Sequence, residues 1–343
     1  MVVRLSDERP SAAAAVRLRI RSSRRLIHVG IAAGLTVALA IGSSLIEECG
    51  CPFQPSVLGV RGIRNVSHTV HLGDVRAKLV ATADEELAVN RLPAAWVERI
   101  RAAGEVDAIP WELSFVAANG LSWRPNPVIQ TYHAYTEGLD QAVADHIAND
   151  GPPHLLVQFL DFDGRYPLWS SPEMWIAILS NYELVDTLPF VPGREPVALM
   201  ARRPEPLELG LERAHAAEAE LGEWFAVPER DEAVFASIDL YRDLEGWLAS
   251  LFWHTDPLLF EFRFEDGRIY TTRMLPGTAG GRHLANYPPL IFEQLVWLLE
   301  GKLPPKATAF RIIGPGSESF ESRVRVTWWT STWNPAATAD AVP

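Results

Sequence analysis

A stretch of 21 residues without a formal charge, residues 26–46, constrains the fold of this chain more than any other feature. At about 1.5 Å per residue, a helix of this length spans the hydrocarbon core of a bilayer. Seven arginines precede the stretch, whereas Glu47 and Glu48 follow it. The positive-inside rule then places the N-terminus in the cytoplasm. The sequence therefore predicts a single-pass anchor in the inner (cytoplasmic) membrane, with an extracytoplasmic body.

Two other interpretations of residues 26–46 stay open. The small residues at 38–40 fit the cleavage site of a secretory signal peptide, which would also export the body. A buried core helix is the third interpretation, but it gives the preceding arginines no role. In the first two interpretations, the chain after residue 46 lies outside the cytoplasm.

The charge of the body argues against nucleic acid as a partner. The chain has 31 lysines and arginines against 43 aspartates and glutamates. Seven arginines and two acids precede residue 26, so the remainder carries 24 basic and 41 acidic residues. A net charge of −17 on this remainder repels phosphate backbones, and we expect no nucleic-acid binding.

Two cysteines, Cys49 and Cys51, follow the hydrophobic stretch and are the only cysteines of the chain. One intervening residue is poor geometry for a relaxed disulfide between them. Two ligands cannot complete a zinc site without others. Thiols without a role and a link between two chains both stay open, and we expect neither a metal nor a cofactor.

Composition, together with the positions of prolines and glycines, divides the chain into seven segments. Residues 67–80 suggest short strands, and Pro93 begins a helix that Gly104 ends. The Pro-bounded, Ala- and Glu-rich stretch before residue 222 is typical of a domain joint. The predicted segments are an Arg-rich cytoplasmic segment (1–25), the anchor or signal segment (26–46), a lead-in (47–104), an α/β domain (105–203), a linker helix (204–221), a β-rich domain (222–333) and a disordered tail (334–343).

Residues 105–203 alternate between strand and helix patterns. "VDAIPWELSFVAANG" is strand-like and ends in a turn, and Thr136 is a good N-cap for the helical stretch that follows. "HLLVQFL" is an apolar run typical of a strand buried on both faces. Ser171 and Pro172 begin a second helix, and "PVALMARR" is a further strand. The pattern predicts a small three-layer α/β domain with a mostly parallel sheet.

In the last third of the chain, apolar residues alternate with polar ones, as is typical of strands in an antiparallel sheet. In "LLFEFRF", Phe260, Phe262 and Phe264 share one face, and the following Asp-Gly is a hairpin signal. "TAFRIIG" and "SRVRVTWW" alternate in the same way. Two stretches with helical spacing are expected to cover a sheet face or end: Leu244, Trp247, Leu248 and Leu251; and Leu295, Leu298 and Leu299. The sequence predicts an antiparallel, sandwich-like α+β domain.

The stretch at residues 119–136 is the best candidate for a binding site. Its aromatic side chains have flat faces that stack on sugars, its arginine offers a planar fork for carboxylate or phosphate, and its prolines hold the backbone extended. The alternative is a rigid crossover whose aromatics pack on the rim of the core. The ligand-binding candidates are Trp123, Arg124, Gln130, Tyr132, Tyr135 and, from the turn "DFDGR", Arg165. We expect Trp123→Ala with Arg124→Ala to abolish binding and leave the fold intact.

Three acids are weak candidates for catalysis. Asp161 and Asp163 lie in a turn after a buried strand, where α/β sheets bind ligands, and Glu112 lies at a predicted strand end. These two carboxylates near Arg165 could orient a sugar hydroxyl or hold a cation, but a turn with a local Asp–Arg pair explains them as well. A shared pocket that holds two of these acids would favour an enzyme. The sequence contains no Walker A motif, dinucleotide fingerprint, nucleophile elbow or His-Glu-x-x-His.

Residues 92–203 resemble the extracytoplasmic C-terminal region of a group of uncharacterised bacterial polytopic membrane proteins. Those proteins are similar to integral-membrane glycosyltransferases that use lipid-linked sugar donors. A Trp-x-Pro-x-Pro-x-x-Gln-x-Tyr stretch and an Asp-Gly-Arg turn carry the resemblance. The matching positions are Trp123, Pro125, Pro127, Gln130, Tyr132, Asp163, Gly164 and Arg165. The C-terminal third continues the resemblance more weakly.

This chain departs from that pattern in one respect. The transferases place their catalytic acids in a loop between their first membrane helices, and this chain has a single hydrophobic segment. The resemblance therefore implies a detached exported domain, with a non-catalytic role in binding an envelope glycan or a lipid-linked sugar. Two alternatives stay open: a carbohydrate-active enzyme that uses the acids, and a structural partner of a polytopic membrane protein. An exposed apolar patch around Trp328, Trp329 and Trp333 would favour the last.

Overall fold

The structure is a computed structural model that describes residues 72–252 and 256–336. The chain divides into two compact units between Ala83 and Asp84. The predicted anchor at 26–46, together with Cys49 and Cys51, lies outside the described residues. Within the described residues, no helix has both the length and the apolar character needed to cross a membrane.

Eight α-helices lie in the part of the chain that the structure describes. They are α1 (Leu72–Ala88), α2 (Ala94–Ala103), α3 (Ser114–Asn119), α4 (Glu137–Asn149), α5 (Pro167–Ser170), α6 (Pro172–Asn181), α7 (Leu244–Phe252) and α8 (Phe292–Leu299). The predicted short strands at 67–80 are wrong where the structure describes them, because residues from Leu72 onward belong to α1. The predicted helix between Pro93 and Gly104 is confirmed as α2.

Five strands form the first sheet. They are β1 (Glu105–Ile109), β2 (Ser122–Trp123), β3 (His154–Val157), β4 (Tyr182–Leu188) and β5 (Val197–Arg202), in the order β2-β1-β3-β5-β4. β1 runs parallel to β2 and β3, but β5 is antiparallel to both β3 and β4. A helix-free loop joins β4 to β5, and such a loop can join only antiparallel neighbours. The sheet is therefore mixed, which corrects the predicted mostly parallel sheet.

Helices cover both faces of this sheet, so the α/β class and the three layers are observed. Alternate residues of β3 and β5 enter different apolar clusters: Leu155 packs in the cluster with α4 and α6, and Leu156 in the cluster with α2 and α3. All four residues of β3 are buried, as its apolar run predicts. The strand-like prediction for "VDAIPWELSFVAANG" holds only for β1, because α3 occupies its second half.

The N-termini of α4 and α6 are capped differently. The Leu139 amide donates to the Thr136 hydroxyl at 3.3 Å, which confirms Thr136 as the N-cap of α4. Ser171 makes no capping hydrogen bond at α6. Instead the buried Asp140 of α4 accepts the first amides of α6, so one helix caps the other. Sequence spacing cannot reveal such a cap, because donor and acceptor are 33 residues apart.

Eight strands form two four-stranded antiparallel sheets. The strands are β6 (Glu212–Glu220), β7 (Phe225–Ala226), β8 (Val234–Asp239), β9 (Leu259–Phe264), β10 (Ile269–Arg273), β11 (His283–Leu284), β12 (Ala307–Ile313) and β13 (Arg323–Thr330). One sheet has the order β10-β9-β12-β7 and the other β11-β8-β13-β6. Aromatic side chains of the two sheets meet in the core, where the ring centroids of Phe310 and Trp328 lie 5.6 Å apart. The predicted antiparallel sandwich is observed, with β9 alternating as expected.

The Ala- and Glu-rich stretch before residue 222 is a strand, and not the predicted helix. β6 pairs along its length with β13 and lies at the edge of its sheet. Alanine and glutamate favour helix locally, but pairing with a neighbouring strand overrides that preference. Seven of its nine residues are exposed.

The tryptophans of β13 and of the segment after it are packed inward. Trp328 is 1% exposed and Trp333 is 7% exposed. Trp329 is partly buried and donates its indole N–H to the Ser237 hydroxyl at 2.9 Å. The three residues therefore form no exposed apolar patch, because Trp328 and Trp333 are buried in the core and Trp329 packs against it.

Trp169 of α5 joins the α/β layers to the sandwich. Its indole N–H donates to the Leu284 carbonyl at 3.0 Å, and its ring lies 3.9 Å from that of Phe260. The buried His283 also stacks on it, with ring centroids 4.4 Å apart. A single apolar cluster therefore runs from α4 and α6 through Trp169 into the sandwich.

Candidate functional site

A tight turn follows β3, as the sequence predicts for "DFDGR". Asp163 and Gly164 both have positive φ, 57° and 69°, which is the backbone of a two-residue Asp-Gly turn. The Gly164 carbonyl accepts the amide of Arg273 and the hydroxyl of Thr272, each at 2.8 Å. Asp163 also forms an ion pair with Arg273. The turn is thus fixed to the end of β10, so it lies where the first sheet meets the sandwich.

Arg165 links this turn to the stretch at 119–136. It is 4% exposed, and it donates to the carbonyls of Phe162 at 3.1 Å and Tyr132 at 3.2 Å. Its guanidinium carbon lies 5.1 Å from the ring centre of Tyr135 and 5.3 Å from that of Phe162. Within the described part of the chain, Arg165 has no carboxylate partner. Its charge is balanced by carbonyl oxygens and aromatic faces instead.

Aromatic rings form a partly exposed surface around Arg165, which we call the aromatic shelf. The shelf consists of Trp111, Tyr132, His133, Tyr135 and Phe162. Tyr132 and Phe162 stack at 3.9 Å, and Trp111 meets their rings edge-on at 5.2 and 5.8 Å. Tyr135 is 44% exposed and Phe162 is 36% exposed. Rings that pack on each other and remain accessible can stack on a ligand without reorganising.

A cleft of about 360 Å³ opens beside the shelf. Three arginines line it, and we call it the arginine cleft: Arg165, Arg242 and Arg273. The acids that line it are Asp163 and Asp256, and only Asp163 is within ion-pair distance of one of these arginines. Its volume is within the ~300–1,000 Å³ of small-molecule sites.

Arg242 has an unfilled hydrogen-bonding position. Its guanidinium carbon lies 4.9 Å from the ring centre of Phe320. Its Nη1 atom is buried and has no hydrogen-bond partner in the structure. The half-buried Arg242 side chain also lines the cleft, so its guanidinium group brings positive charge to the cleft wall.

The structure brings together four of the six predicted ligand-binding residues. Gln130 accepts the Tyr132 hydroxyl at 2.9 Å, and Tyr135 and Arg165 line the arginine cleft. Trp123 and Arg124 do not line that cleft. Their contacts are with the first sheet and its surroundings.

Trp123 and Arg124 have partners of their own. The Trp123 indole donates to Asp107 at 2.7 Å, and its ring packs against the cluster under α2 and α3. Arg124 forms an ion pair with Glu105 at 3.2 Å and approaches Asp150 at 3.9 Å. Burial raises the pKa of Asp107 to about 6, although the hydrogen bonds from Trp123 and Asn126 oppose that rise. These contacts indicate a packing role for Trp123.

The three candidate acids occupy different surroundings. Glu112 accepts the amide of Ser114 at 3.2 Å and also its hydroxyl, at the start of α3. Asp161 lines a separate cleft of about 500 Å³, and Asp163 lines the arginine cleft. Neither cleft holds two of these acids.

Asp140 and His283 are further buried groups outside the shelf and the arginine cleft with strongly shifted pKa values. Burial raises the pKa of Asp140 to about 7 and lowers that of His283 to about 4. Asp140 caps α6, and His283 packs on Trp169, so both have structural surroundings. Among residues 72–252 and 256–336, no group of three or more His, Cys, Asp or Glu side chains is placed to hold a metal ion.

Arg242 and Arg273 were not predicted from the sequence. Arg273 reaches Asp163 across 110 positions of the chain, and Arg242 has no motif around it. The only local signal was the Asp-Gly hairpin whose return strand ends in Arg273.

Comparisons with known proteins do not assign a family. No family model matches the chain, and no curated protein matches it. A solved structure described as "Structural and functional characterization of Pseudomonas aeruginosa AlgX" is 12% identical, with a TM-score of 0.25. The alignment covers 67% of this chain and 48% of the other, so this chain spans about half the length of that protein. A TM-score this low indicates neither a shared fold nor a shared function.

Proposed function

We propose that this protein is a non-catalytic, membrane-anchored, extracytoplasmic binding protein of the bacterial cell envelope, and that it binds a glycan or a lipid-linked sugar on the aromatic shelf. The observation that carries the proposal is the meeting of two distant segments at Arg165. The stretch at 119–136 supplies Tyr132 and Tyr135, and the turn after β3 supplies Phe162 and Arg165.

The chemistry of the shelf suits a sugar. A stacked pair of rings offers an apolar face to the C–H side of a pyranose, and the Tyr132 hydroxyl and the Gln130 amide beside it offer hydrogen bonds to sugar hydroxyls. The shelf lies beyond the carboxyl ends of β1 and β3, where α/β sheets commonly bind ligands. The Thr131 amide donates to the Pro110 carbonyl at 3.0 Å, which fixes the stretch to the end of β1.

The positions of the three candidate acids agree better with a binding role than with glycoside hydrolysis. Hydrolases of sugars use two carboxylates that face one bond from opposite sides. Here Asp161 and Asp163 line separate clefts, and Glu112 caps a turn at Ser114. The carboxylate of Asp163 is also engaged by Arg273.

The test uses the full chain in detergent and an array of bacterial envelope glycan fragments. Tyr132→Ala and Phe162→Ala should each weaken binding about tenfold, because each removes one ring of the stacked pair. Trp297→Ala, which removes an exposed ring elsewhere, is the matched control. Glycan binding that survives both shelf variants would reject the proposal. The double substitution of Trp123 and Arg124 is a less suitable test, since Trp123 is bonded to Asp107.

A second candidate, association with a polytopic membrane protein, is favoured by a different surface. Phe190 and Ile291 are 59% and 52% exposed beside the cleft of about 500 Å³. Trp297, 42% exposed, lines an adjoining cleft of about 260 Å³. Cross-linking of the full chain in its native membrane, followed by mass spectrometry, tests this role. Links from α8 to one membrane protein would support it, and links to none would reject it.

A further inference from the structure

The apolar face of α7 is exposed. Leu244, Trp247 and Leu248 are 75%, 52% and 46% exposed, and their spacing puts them on one side of the helix. The sequence predicts that this side covers a sheet, which is wrong for these three residues. The helix packs by another side, because Gly246 is buried and lies directly against the carbonyl of Ser319.

This exposed face lies next to the arginine cleft. Arg242 precedes α7 by two residues, and Ser250 lies on α7; both line the cleft. Tyr241, which is 60% exposed, adds a further aromatic side chain at the start of the helix. One short segment therefore presents apolar side chains to solvent and a cation to the cleft.

The cleft has unused capacity for an anion. Arg242 and Arg165 both line the cleft, and neither has a carboxylate partner within the residues described. Arg273 shares its charge with Asp163, and Asp256 is the remaining acid on the wall. Three guanidinium groups against two carboxylates leave a net positive charge in the cleft. Planar guanidinium groups match the oxygens of a phosphate.

We propose that this surface binds a membrane phospholipid: Arg242 and Arg273 hold its phosphate in the arginine cleft, and Leu244, Trp247 and Leu248 enter the adjoining bilayer interface. A bilayer presents phosphates next to an apolar layer, and here exposed apolar side chains of α7 adjoin a cleft lined by arginines. Tryptophan is favoured at that depth. An acidic protein surface would satisfy the arginines but gives no reason for the exposed leucines. The inference goes beyond the proposed glycan binding and uses other side chains.

Quenching of tryptophan fluorescence by brominated phospholipids tests the insertion of α7. The full chain is reconstituted into vesicles of phosphatidylcholine with brominated tails, with or without phosphatidylglycerol. Residues 26–46 contain no tryptophan, so quenching reports on the body of the protein. We expect quenching in the wild type that falls in Trp247→Phe and does not fall in Trp297→Phe. Equal quenching in wild type and Trp247→Phe would overturn the proposal.

Replacement of Arg242 tests the phosphate site. In the same vesicles, Arg242→Gln should lower the quenching of Trp247 by brominated lipid, because α7 loses a charge-assisted contact to phosphate. Arg268→Gln, at an exposed arginine of the β9–β10 hairpin, is the matched control and should keep that quenching. Unchanged quenching in Arg242→Gln would overturn the assignment of the cleft.

Inorganic phosphate distinguishes the two sources of the anion. Stabilisation of the full chain by inorganic phosphate without lipid-dependent quenching would identify a soluble anion and overturn the lipid assignment. Glycan binding is measured on the same variants. Retained glycan binding in Arg242→Gln, together with lowered quenching, would show that the two sites are separate.

Discussion

Asp140 is a carboxylate on which two physical effects oppose each other. It is 1% exposed on α4, and it accepts the amides of Glu173 at 2.9 Å and Met174 at 3.1 Å at the start of α6. Two backbone donors at a helix N-terminus favour the ionised form. Burial, supported by the nearby Glu173 carboxylate, favours the neutral form and raises the pKa of Asp140 from 3.8 to about 7. The structure therefore predicts that burial outweighs the donors.

Asp140→Asn converts this balance into a measurable quantity. A pKa higher by about three in the folded state corresponds to ~4 kcal/mol of stability. That stability is fully present below pH 3.8, the pKa of the unfolded chain, and is lost as the pH rises through about 7. Asparagine does not ionise, so its contribution does not change with pH. Because its side chain has one hydrogen-bond acceptor fewer, it lowers the free energy of unfolding by about 1 kcal/mol at every pH. The free energy of unfolding, variant minus wild type, should therefore rise by ~4 kcal/mol between about pH 4 and about pH 8.

Denaturant unfolding of the full chain in detergent, followed by tryptophan fluorescence across that pH range, measures this difference. Asp145→Asn, at an exposed aspartate of the same helix, is the matched control and should show no such rise. A difference that stays constant, or that falls with pH, would mean that the donors at the helix N-terminus outweigh burial. The raised pKa of Asp140 would then be refuted.

Three further substitutions test individual contacts. Glu173→Gln breaks the ion pair with Arg282 and should lower the free energy of unfolding by about 2 kcal/mol in the same assay. Gly246→Ala places a methyl group against the Ser319 carbonyl, so amide hydrogen exchange in α7 should speed up while that in β9 stays unchanged. Thr136→Ala removes the cap of α4 and should cost about 1 kcal/mol, whereas Thr136→Ser should retain most of it.

Local sequence patterns correctly predicted those elements that are determined by their own residues. The alternation of β9, the apolar run of β3 and the N-cap at Thr136 are examples. Elements that depend on a distant partner were missed. β6 is a strand because β13 pairs with it, and α7 exposes its apolar side because Gly246 is the residue that packs.

The residues of the candidate site likewise divide into those that the sequence could predict and those that it could not. Tyr132, Tyr135 and Arg165 could be placed together because each of their segments follows a strand of the first sheet. Trp123 lies in the same stretch, but its position on β2 turns it toward Asp107. Arg242 and Arg273 come from the sandwich, and no sequence rule joins a sandwich strand to a turn 110 residues earlier.

The exposed edge of β6 has a consequence for how molecules of this protein meet in solution. An unpaired strand edge is a template on which another chain can add a strand, and charged side chains discourage that addition. Glu212, Glu218 and Glu220 are exposed on β6, with alanines between them. Glu218→Ala with Glu220→Ala would leave a less charged, alanine-rich edge. These substitutions should therefore drive edge-to-edge growth of sheet-rich aggregates, which light scattering would detect as a rise in particle size.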